Sequence, residues 1–270
     1  MMHYHINAMY FSPTGTTEKV VSAIAGKLAG QKDFTAFDFT LPANRKEPAK
    51  FTKQDLVVAG IPVYAGRVPN VLLPYLNTLE GNGALAAAVV LYGNRNYDDA
   101  LIELKDILTG RGFKVIAAGA FIGEHAFSTV LGAGRPDRED LQTAVSFAGE
   151  INSKLEAGKD FGDLTVKGSK PYNKYYVPKT ENGEDNKEFR KVTPKTIEDC
   201  TDCKTCAEVC PLGSIDYENV KLLTGICIKC CACVKKCPVN AKYFDDPGYL
   251  FHKTQLETTY TERREPELFI

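Results

Sequence analysis

The distribution of cysteines constrains this chain most, because all nine of them lie between Cys200 and Cys237. Eight form two runs of identical spacing, and each run ends in a Cys-Pro pair. The runs are Cys200, Cys203, Cys206 and Cys210, followed by Cys227, Cys230, Cys233 and Cys237. The ninth cysteine, Cys231, falls outside both runs. Thiols that are concentrated and regularly spaced in this way indicate a metal-binding unit.

Each run resembles the cysteine motif of bacterial ferredoxins, which binds 4Fe-4S clusters. The resemblance implies that the last cysteine of each run crosses to the other cluster. The implied ligands are Cys200, Cys203, Cys206 and Cys237 for one cluster, and Cys227, Cys230, Cys233 and Cys210 for the second. Zinc and disulfides are the alternatives, but zinc usually uses two separated Cys-x2-Cys pairs, and disulfides would leave one cysteine over. Cys231 is interpreted as a small buried thiol, with a spare ligand or an oxidation site as the alternatives.

Length and charge limit the class of protein. A chain of 270 residues is long enough for two domains of unequal size. The net charge of -1, from 33 basic and 34 acidic residues, argues against a nucleic-acid partner. The longest apolar run, residues 84–92, is too short to cross a bilayer, and the N-terminus shows no signal-peptide pattern. We therefore expect a cytoplasmic protein without a membrane partner, as a monomer or homodimer.

The first 157 residues alternate apolar and amphipathic stretches. The apolar patterns predict strands at residues 3–11, 34–39, 55–63, 84–92 and 113–121. Helical patterns follow at residues 17–30, 70–79, 98–109 and 137–156. This alternation predicts an α/β fold with a five-stranded, doubly wound parallel sheet. Ligands of such sheets bind at the carboxyl ends of the strands.

The turn after the first predicted strand reads Ser12-Pro13-Thr14-Gly15-Thr16-Thr17. It supplies four hydroxyls and a glycine, but no basic residue. Backbone amides at the N-terminus of the following helix can stabilise a phosphate without Lys or Arg. The turn lacks both the Gly-Lys-Ser/Thr of a triphosphate loop and the Gly-x-Gly-x-x-Gly dinucleotide pattern. An ordinary Ser/Thr helix start is the alternative.

Ser12, Thr14, Gly15 and Thr17 match the Thr/Ser-x-Thr-Gly-x-Thr signature of flavodoxins, so this part of the chain resembles that family. The resemblance implies FMN, with its phosphate on the turn that also includes Thr16. It further implies that loops after the third and fourth strands bind the flavin ring. The implied residues are Pro62, Val63, Tyr64, Ala65 and Gly66, then Gly93, Asn94, Arg95 and Tyr97. Tyr64 and Tyr97 would cover the two ring faces, with plain surface packing as the alternative.

The predicted ring site departs from flavodoxins in its charge. Those proteins surround the ring with acidic residues, whereas this chain has Arg67, Arg95 and Arg135 in the corresponding loops. Positive charge is expected to favour an anionic reduced flavin and to raise its second-electron potential. His125 follows the fifth strand and is interpreted either as a proton relay or as a loop hydrogen-bonding residue.

The two parts together resemble the fused flavodoxin and 4Fe-4S ferredoxin electron carriers of anaerobes. The predicted divisions are an FMN domain at 1–157, a basic linker with Pro and Gly at 158–195, a small α+β ferredoxin-like domain at 196–240 and a tail at 241–270. The implied function is electron transfer between two 4Fe-4S clusters and FMN, with redox proteins as partners: a low-potential donor and an acceptor of unknown identity. The alternative is an FMN-dependent reductase of a quinone, nitro compound or anion, fed by its own ferredoxin domain. A redox sensor would need an exposed labile thiol and an effector domain.

Overall fold

The structure is a computed structural model that describes residues 4–158 and 161–270. The first predicted strand and the predicted FMN domain start before residue 4, and the predicted linker includes residues 159 and 160. Those parts of the predictions lie outside the described residues.

A parallel sheet forms the centre of the N-terminal part. Its strands are β1 (His5–Tyr10), β2 (Thr35–Asp38), β3 (Asp55–Pro62), β4 (Leu85–Tyr92) and β5 (Lys114–Ile122). Their spatial order is β2-β1-β3-β4-β5, the flavodoxin-like order of a doubly wound sheet. Strands covered on both faces read as continuous apolar runs, and β4 is buried at every position. The predicted parallel α/β sheet is confirmed.

Helices cover both faces of this sheet. The helices are α1 (Thr16–Ala29), α2 (Leu73–Leu76), α3 (Ala100–Gly110) and α4 (Arg138–Glu156). Side chains of α1 and α4, including Ile24 and Phe147, pack together on one face, whereas Leu101 and Leu104 of α3 pack on the other. The predicted helix at 70–79 is shorter in the structure, where a 3-10 turn at Asn70–Leu72 leads into α2.

The cysteine-rich part repeats one local structure at an interval of 27 residues. The equivalent short helices are α5 (Thr205–Glu208) and α6 (Ala232–Lys235). Each follows a residue in the left-handed conformation, Lys204 at φ 65° and Cys231 at φ 58°. Strands β6 (Lys195–Thr196) and β7 (Lys242–Tyr243) pair antiparallel at the ends of the repeat. The two cysteine runs therefore share one local fold.

The C-terminal segment contains a sixth strand of the main sheet. After β7 the chain forms α7 (Pro247–Thr259) and β8 (Glu267–Phe269), and β8 pairs antiparallel with β5. The sequence predicts a five-stranded sheet and a tail at residues 241–270, whereas in the structure this segment adds β8 to the edge of the sheet. A strand of three residues is too short to show a period-2 pattern, so its place depends on the partner strand.

The segment between the two parts packs closely on the sheet domain, where Leu164 and Val166 join the core. Asp99 accepts hydrogen bonds from the backbone amides of Ser169 at 2.8 Å and Asn173 at 2.7 Å. Residues 161–194, called the strap below, have a loop-like composition. Their polar contacts nevertheless hold them against the sheet domain. None of the helices in the described ranges combines the length and apolarity needed for a membrane crossing.

Candidate functional site

A cavity of about 490 Å³ lies at the carboxyl edge of the sheet. One side is formed by the turn after β1 and by the loops after β3, β4 and β5. The other side is formed by residues 175–178 of the strap, by residues 226–230 of the second cysteine run and by α7. Its volume is in the range of small-molecule and cofactor sites. The cavity therefore lies between the two parts of the chain.

The turn after β1 places three hydroxyl residues, Thr14, Thr16 and Thr17, on the cavity. Gly15 precedes α1 in the left-handed conformation, at φ 87°, and has no side chain that could cap the helix. The buried Oγ1 of Thr17 has no hydrogen-bond partner among the described residues. A helix N-terminus that begins after a glycine, beside a buried hydroxyl without a partner in the described ranges, fits an anion such as a phosphate.

Ser12 has a different role in this turn. Its Oγ accepts a hydrogen bond from the backbone amide of Glu18 at 3.0 Å, and its own amide donates to Thr40 Oγ1 at 2.8 Å. Its side chain is buried and does not line the cavity. Ser12 therefore supports the start of α1 in the manner of the ordinary helix-start alternative.

The loop after β3 lines the cavity with all five predicted residues: Pro62, Val63, Tyr64, Ala65 and Gly66. The carbonyl of Ala65 accepts a hydrogen bond from the amide of Tyr176 at 2.9 Å, and that of Gly66 accepts from the amide of Asp99 at 3.1 Å. Burial, with Cys230 and neighbouring cysteines as a smaller cause, raises the pKa of Tyr64 well above its usual value. Tyr64 thus lies between the sheet edge and the second cysteine run.

The loop after β4 meets the prediction only in part. Gly93, Arg95 and Asn96 line the cavity, whereas Asn94 and Tyr97 do not. Asn94 Nδ2 donates to the carbonyls of Tyr260 at 2.7 Å and Glu262 at 2.9 Å. The Tyr97 ring is in the core, and its hydroxyl donates to Glu267 at 2.7 Å. Both predicted ring contacts instead hold the C-terminal segment.

Tyr176 of the strap occupies the position expected for a second aromatic wall. It lines the cavity, stacks on His252 of α7 with ring centroids 5.7 Å apart, and lies under the Arg95 guanidinium at 4.8 Å. The proximity of residues 175–178 to this site depends on the path of the strap, which local spacing in the sequence does not show.

Two of the three predicted cavity arginines lie elsewhere, which corrects the expected positive ring site. Arg67 forms a buried ion pair with Glu103 and donates to the carbonyl of Asn173 at 2.6 Å. Arg135 pairs with buried Asp140 and donates to a backbone carbonyl near the C-terminus. Only Arg95 lines the cavity, and it is paired with Asp98. The predicted effect on a flavin potential therefore rests on Arg95 alone among the three.

His125 lines the cavity as a neutral donor. Burial lowers its pKa to about 3, and the nearby His252, Lys235 and Arg95 act in the same direction. Its Nδ1 accepts a hydrogen bond from the amide of Phe127 at 3.1 Å, so the proton of the neutral ring is on Nε2. A Cβ on Gly93 would lie 2.3 Å from the His125 ring, so the close approach requires glycine there.

The second cysteine run meets Cys210 of the first run around a smaller cavity of about 30 Å³. Its walls include Cys210, Cys227, Cys230, Cys231 and Cys233. Cys227 and Cys230 also line the 490 Å³ cavity. The two cavities therefore share a wall that contains Cys227 and Cys230, together with Ile226 and Ile228.

The remaining cysteines, Cys200, Cys203, Cys206 and Cys237, line neither cavity. Cys206 is buried, Cys200 packs beside it, and Cys203 is exposed. Cys237 accepts a hydrogen bond at Sγ from the amide of Ala241 at 3.1 Å, and Cys210 accepts an equivalent one from the amide of Ser214 at 3.3 Å. Among the described residues, no three His, Cys, Asp or Glu side chains converge as they would around one ion. A four-iron cube holds its thiolates at separate corners, which is a wider arrangement.

Two buried lysines lie beside these cysteines, and within the described ranges neither pairs with a carboxylate. Lys229, 7% exposed, donates to the carbonyls of Arg190 and Cys227, and it lines the large cavity. Lys242, 3% exposed, donates to Thr196 Oγ1 at 2.7 Å and to the carbonyl of Val220. Burial raises the pKa values of Cys206 and Cys233, and Lys242 opposes that change. Because an unpaired buried charge is costly, these lysines fit sites that hold negative groups.

Comparisons with known proteins bear on each part separately. Residues 164–253 match the family model of the 4Fe-4S dicluster domain. A flavodoxin from the domain Archaea aligns at 16% identity and a TM-score of 0.40, covering 56% of this chain and 98% of that one. The flavodoxin of Streptococcus pneumonia TIGR4 aligns at 19% identity and a TM-score of 0.40, covering 55% and 98%. An NADH:FMN oxidoreductase in its apo form aligns at 17% identity and a TM-score of 0.42, covering 56% and 89%. The search of curated proteins found no match.

Proposed function

We propose that this chain, which combines a flavodoxin-like fold with a 4Fe-4S dicluster domain, transfers electrons internally between an FMN and two 4Fe-4S clusters. One observation carries the proposal. Cys227 and Cys230 line the same cavity as the hydroxyl turn after β1 and the loop that contains Tyr64. A cluster on those cysteines would therefore adjoin an FMN in that cavity, without diffusion of one domain to the other.

The FMN phosphate would be held by Thr14, Thr16, Thr17 and the first-turn amides of α1 other than that of Glu18, which donates to Ser12. The buried Thr17 hydroxyl, which has no partner among the described residues, supports this position. Tyr64 and Tyr176 supply aromatic walls for the ring. His125 would offer its Nε2 proton to an acceptor in the cavity. This set contains no basic residue at the phosphate turn, which agrees with neutral donors as the phosphate ligands.

The cysteine sets proposed for the clusters keep the crossed arrangement. Cys210, Cys227, Cys230 and Cys233 surround the small cavity, which supports a shared cluster there. The outer cluster would use Cys200, Cys203, Cys206 and Cys237. Lys229 and Lys242 would balance the negative charge of the thiolates. When bound, FMN exchanges two electrons and each cluster exchanges one, so the assembly can couple one-electron and two-electron chemistry.

The strap and α7 keep this arrangement closed. Tyr176, Phe189 and His252 pack together and form part of the cavity wall. The dicluster part is fixed to the sheet domain by Lys235, which contacts Glu124 and the carbonyl of His125. A fixed interface replaces the encounter step of two separate carriers.

The test is anaerobic purification followed by rapid photoreduction. We expect one FMN and about eight iron atoms per chain, as two 4Fe-4S clusters require. The subsequent redistribution of electrons between iron and flavin should be first order, with a rate constant that does not change with protein concentration. A rate proportional to concentration would show transfer between molecules and would contradict the proposal. FAD as the sole flavin, or about four iron atoms, would contradict the cofactor assignment.

A second candidate function is an FMN-dependent reductase of a small acceptor. It is supported by the polar groups of Arg95, His125 and Lys229, which all line the cavity. Quinones, nitro compounds and inorganic anions should then perturb the flavin absorption of the oxidised holoprotein and be turned over with saturation. If none perturbs the spectrum, the carrier function stands alone.

A further inference from the structure

The two cysteine runs carry opposite charge although they share one local fold. Residues 198–218, around the first run, contain six acidic residues and one lysine. The equivalent residues 225–245, around the second run, contain four lysines and one aspartate. Duplicated structure with reversed charge indicates that the two runs face different surroundings.

The basic run faces the sheet domain. Lys235 donates to the carbonyls of His125 at 2.8 Å and Ser128 at 3.0 Å and pairs with Glu124. Lys229 lines the cavity between the parts. The positive charge of the second run is thus used inside the molecule.

The acidic run faces solvent and contains the most accessible cysteine. Cys203 is exposed, whereas the other seven cysteines of the two runs are buried or half-buried. Next to it, Lys204 Nζ contacts Asp202 at 2.7 Å and the carbonyl of Glu218 at 3.2 Å. Tyr217 lies beside the same lysine and is 52% exposed. An accessible sulfur therefore lies among an exposed aromatic ring and a rim of carboxylates.

We infer that this face, defined by Cys203, Glu208, Tyr217 and Glu218, is the docking surface for an electron-transfer protein whose own redox centre is surrounded by basic residues. The inference rests on the proposed function and adds the place where electrons enter or leave. Apolar contact at Tyr217 and attraction at the rim match the usual division of an interface into core and rim.

A second copy of this chain is the competing occupant, and charge argues against it. A twofold interface would bring the same acidic face of both copies together. Like charges opposed across an interface are destabilising. A basic partner satisfies the same face with attraction instead.

The test uses a c-type cytochrome with a lysine-rimmed haem edge as the probe. In the step measured, one electron leaves the reduced holoprotein and converts ferric haem to ferrous haem. The variant is Glu208→Lys with Glu218→Lys, and the control is Glu150→Lys with Glu156→Lys, which makes the same change in net charge on exposed α4 positions. At low ionic strength we expect the face variant to reduce the cytochrome about tenfold more slowly than wild type, and the control to change the rate by less than about twofold.

The advantage of wild type over the face variant should disappear as salt is raised, because screening removes long-range attraction. Equal losses in the face variant and the control would overturn the docking surface, since they would report net charge alone. A wild-type dimer in light scattering that dissociates in the face variant would assign the surface to a second copy instead. Iron content and the internal rate are measured in every sample. If wild type shows no internal electron transfer, the proposed function is rejected. If internal transfer is normal but the face variant reduces the cytochrome as fast as wild type does, only the docking surface is rejected.

Discussion

Lys235, the last residue of α6, donates a hydrogen bond from Nζ to the backbone carbonyl of His125 at 2.8 Å. The same ammonium contacts Glu124, so one lysine joins the cysteine-rich part to the loop after β5. His125 itself lines the large cavity. This contact sets the position of the second cysteine run over the edge of the sheet, where Cys227 and Cys230 complete the cavity wall.

Thr17→Val should weaken FMN binding, because it removes a buried hydroxyl that has no partner in residues 4–158 and 161–270 and replaces it with a methyl of similar size. A lost hydrogen bond to a charged group costs about 1.5–3 kcal/mol, so the dissociation constant should rise at least tenfold in fluorescence titrations. Ser12→Ala is the matched control. It should lower the free energy of unfolding by about 1 kcal/mol through loss of the contact to Glu18, with a smaller effect on binding.

Cys210→Ser and Cys231→Ser should differ in iron content. Cys210 is proposed as a cluster ligand from the first run, so its replacement should lower iron toward about four atoms per chain and remove the cluster next to the cavity. Cys231 is 2% exposed, and its Sγ lies 3.6 Å from the Tyr249 hydroxyl, so it acts as a buried thiol in this proposal. Its serine variant should retain about eight iron atoms. Loss of a cluster on changing Cys231 would require a new ligand assignment.

Lys242→Met should make both clusters harder to reduce. The buried ammonium lies near Cys206 and Cys233, which belong to different proposed clusters, and in the described part of the chain it donates to Thr196 and Val220 but pairs with no carboxylate. Removing about 1–2 kcal/mol of favourable interaction with the added electron should lower each potential by roughly 40–90 mV. Lys229→Met should lower mainly the potential of the cluster proposed on Cys210, Cys227, Cys230 and Cys233, because Lys229 lies beside Cys227. Lys236→Met, on an exposed side chain, is the control in anaerobic redox titrations.

His125 should make stability depend on pH. The folded protein binds its proton with a pKa of about 3, whereas an unfolded histidine has a pKa of about 6.5. Its contribution to the free energy of unfolding is therefore complete above about pH 6.5 and declines as the pH falls toward about 3. Because one proton is involved, His125 can change the free energy of unfolding by at most about 1.4 kcal/mol per pH unit. In urea unfolding, His125→Gln should make the free energy of unfolding depend less on pH between about pH 5 and 6.5. An unchanged pH dependence would contradict the assignment.

Arg67→Met should destabilise the strap. It leaves Glu103 buried without its partner and removes the hydrogen bond to the Asn173 carbonyl, with an expected loss of about 3–5 kcal/mol in the free energy of unfolding. Limited proteolysis should then cleave near residues 170–178 faster. Because Arg67 does not line the cavity, the flavin potential should shift less than in Arg95→Met. A larger shift in Arg67→Met would restore the sequence-based role of this arginine.

The sequence determined those features whose parts are close together along the chain. The cysteine runs predicted the dicluster domain, because iron-sulfur ligands two and three residues apart belong to one short loop. Alternating apolar and amphipathic segments predicted the parallel α/β sheet, because each segment reports its own burial. The turn at Thr14 and Thr17 was likewise recognisable from adjacent residues.

The tertiary structure alone decided which of the candidate side chains reach the cavity. Tyr97, which the sequence predicts at the flavin ring, lies in the core and donates to Glu267, whereas the strap brings Tyr176 to the cavity. Arg67 does not reach the cavity because its guanidinium donates a hydrogen bond to the carbonyl of Asn173, which lies 106 residues away along the chain. Contacts of this kind depend on the path of distant segments rather than on local spacing. A side chain with strong hydrogen-bonding groups binds the donor or acceptor that lies nearest in the folded protein. The residues next to it in the sequence do not predict which group that is.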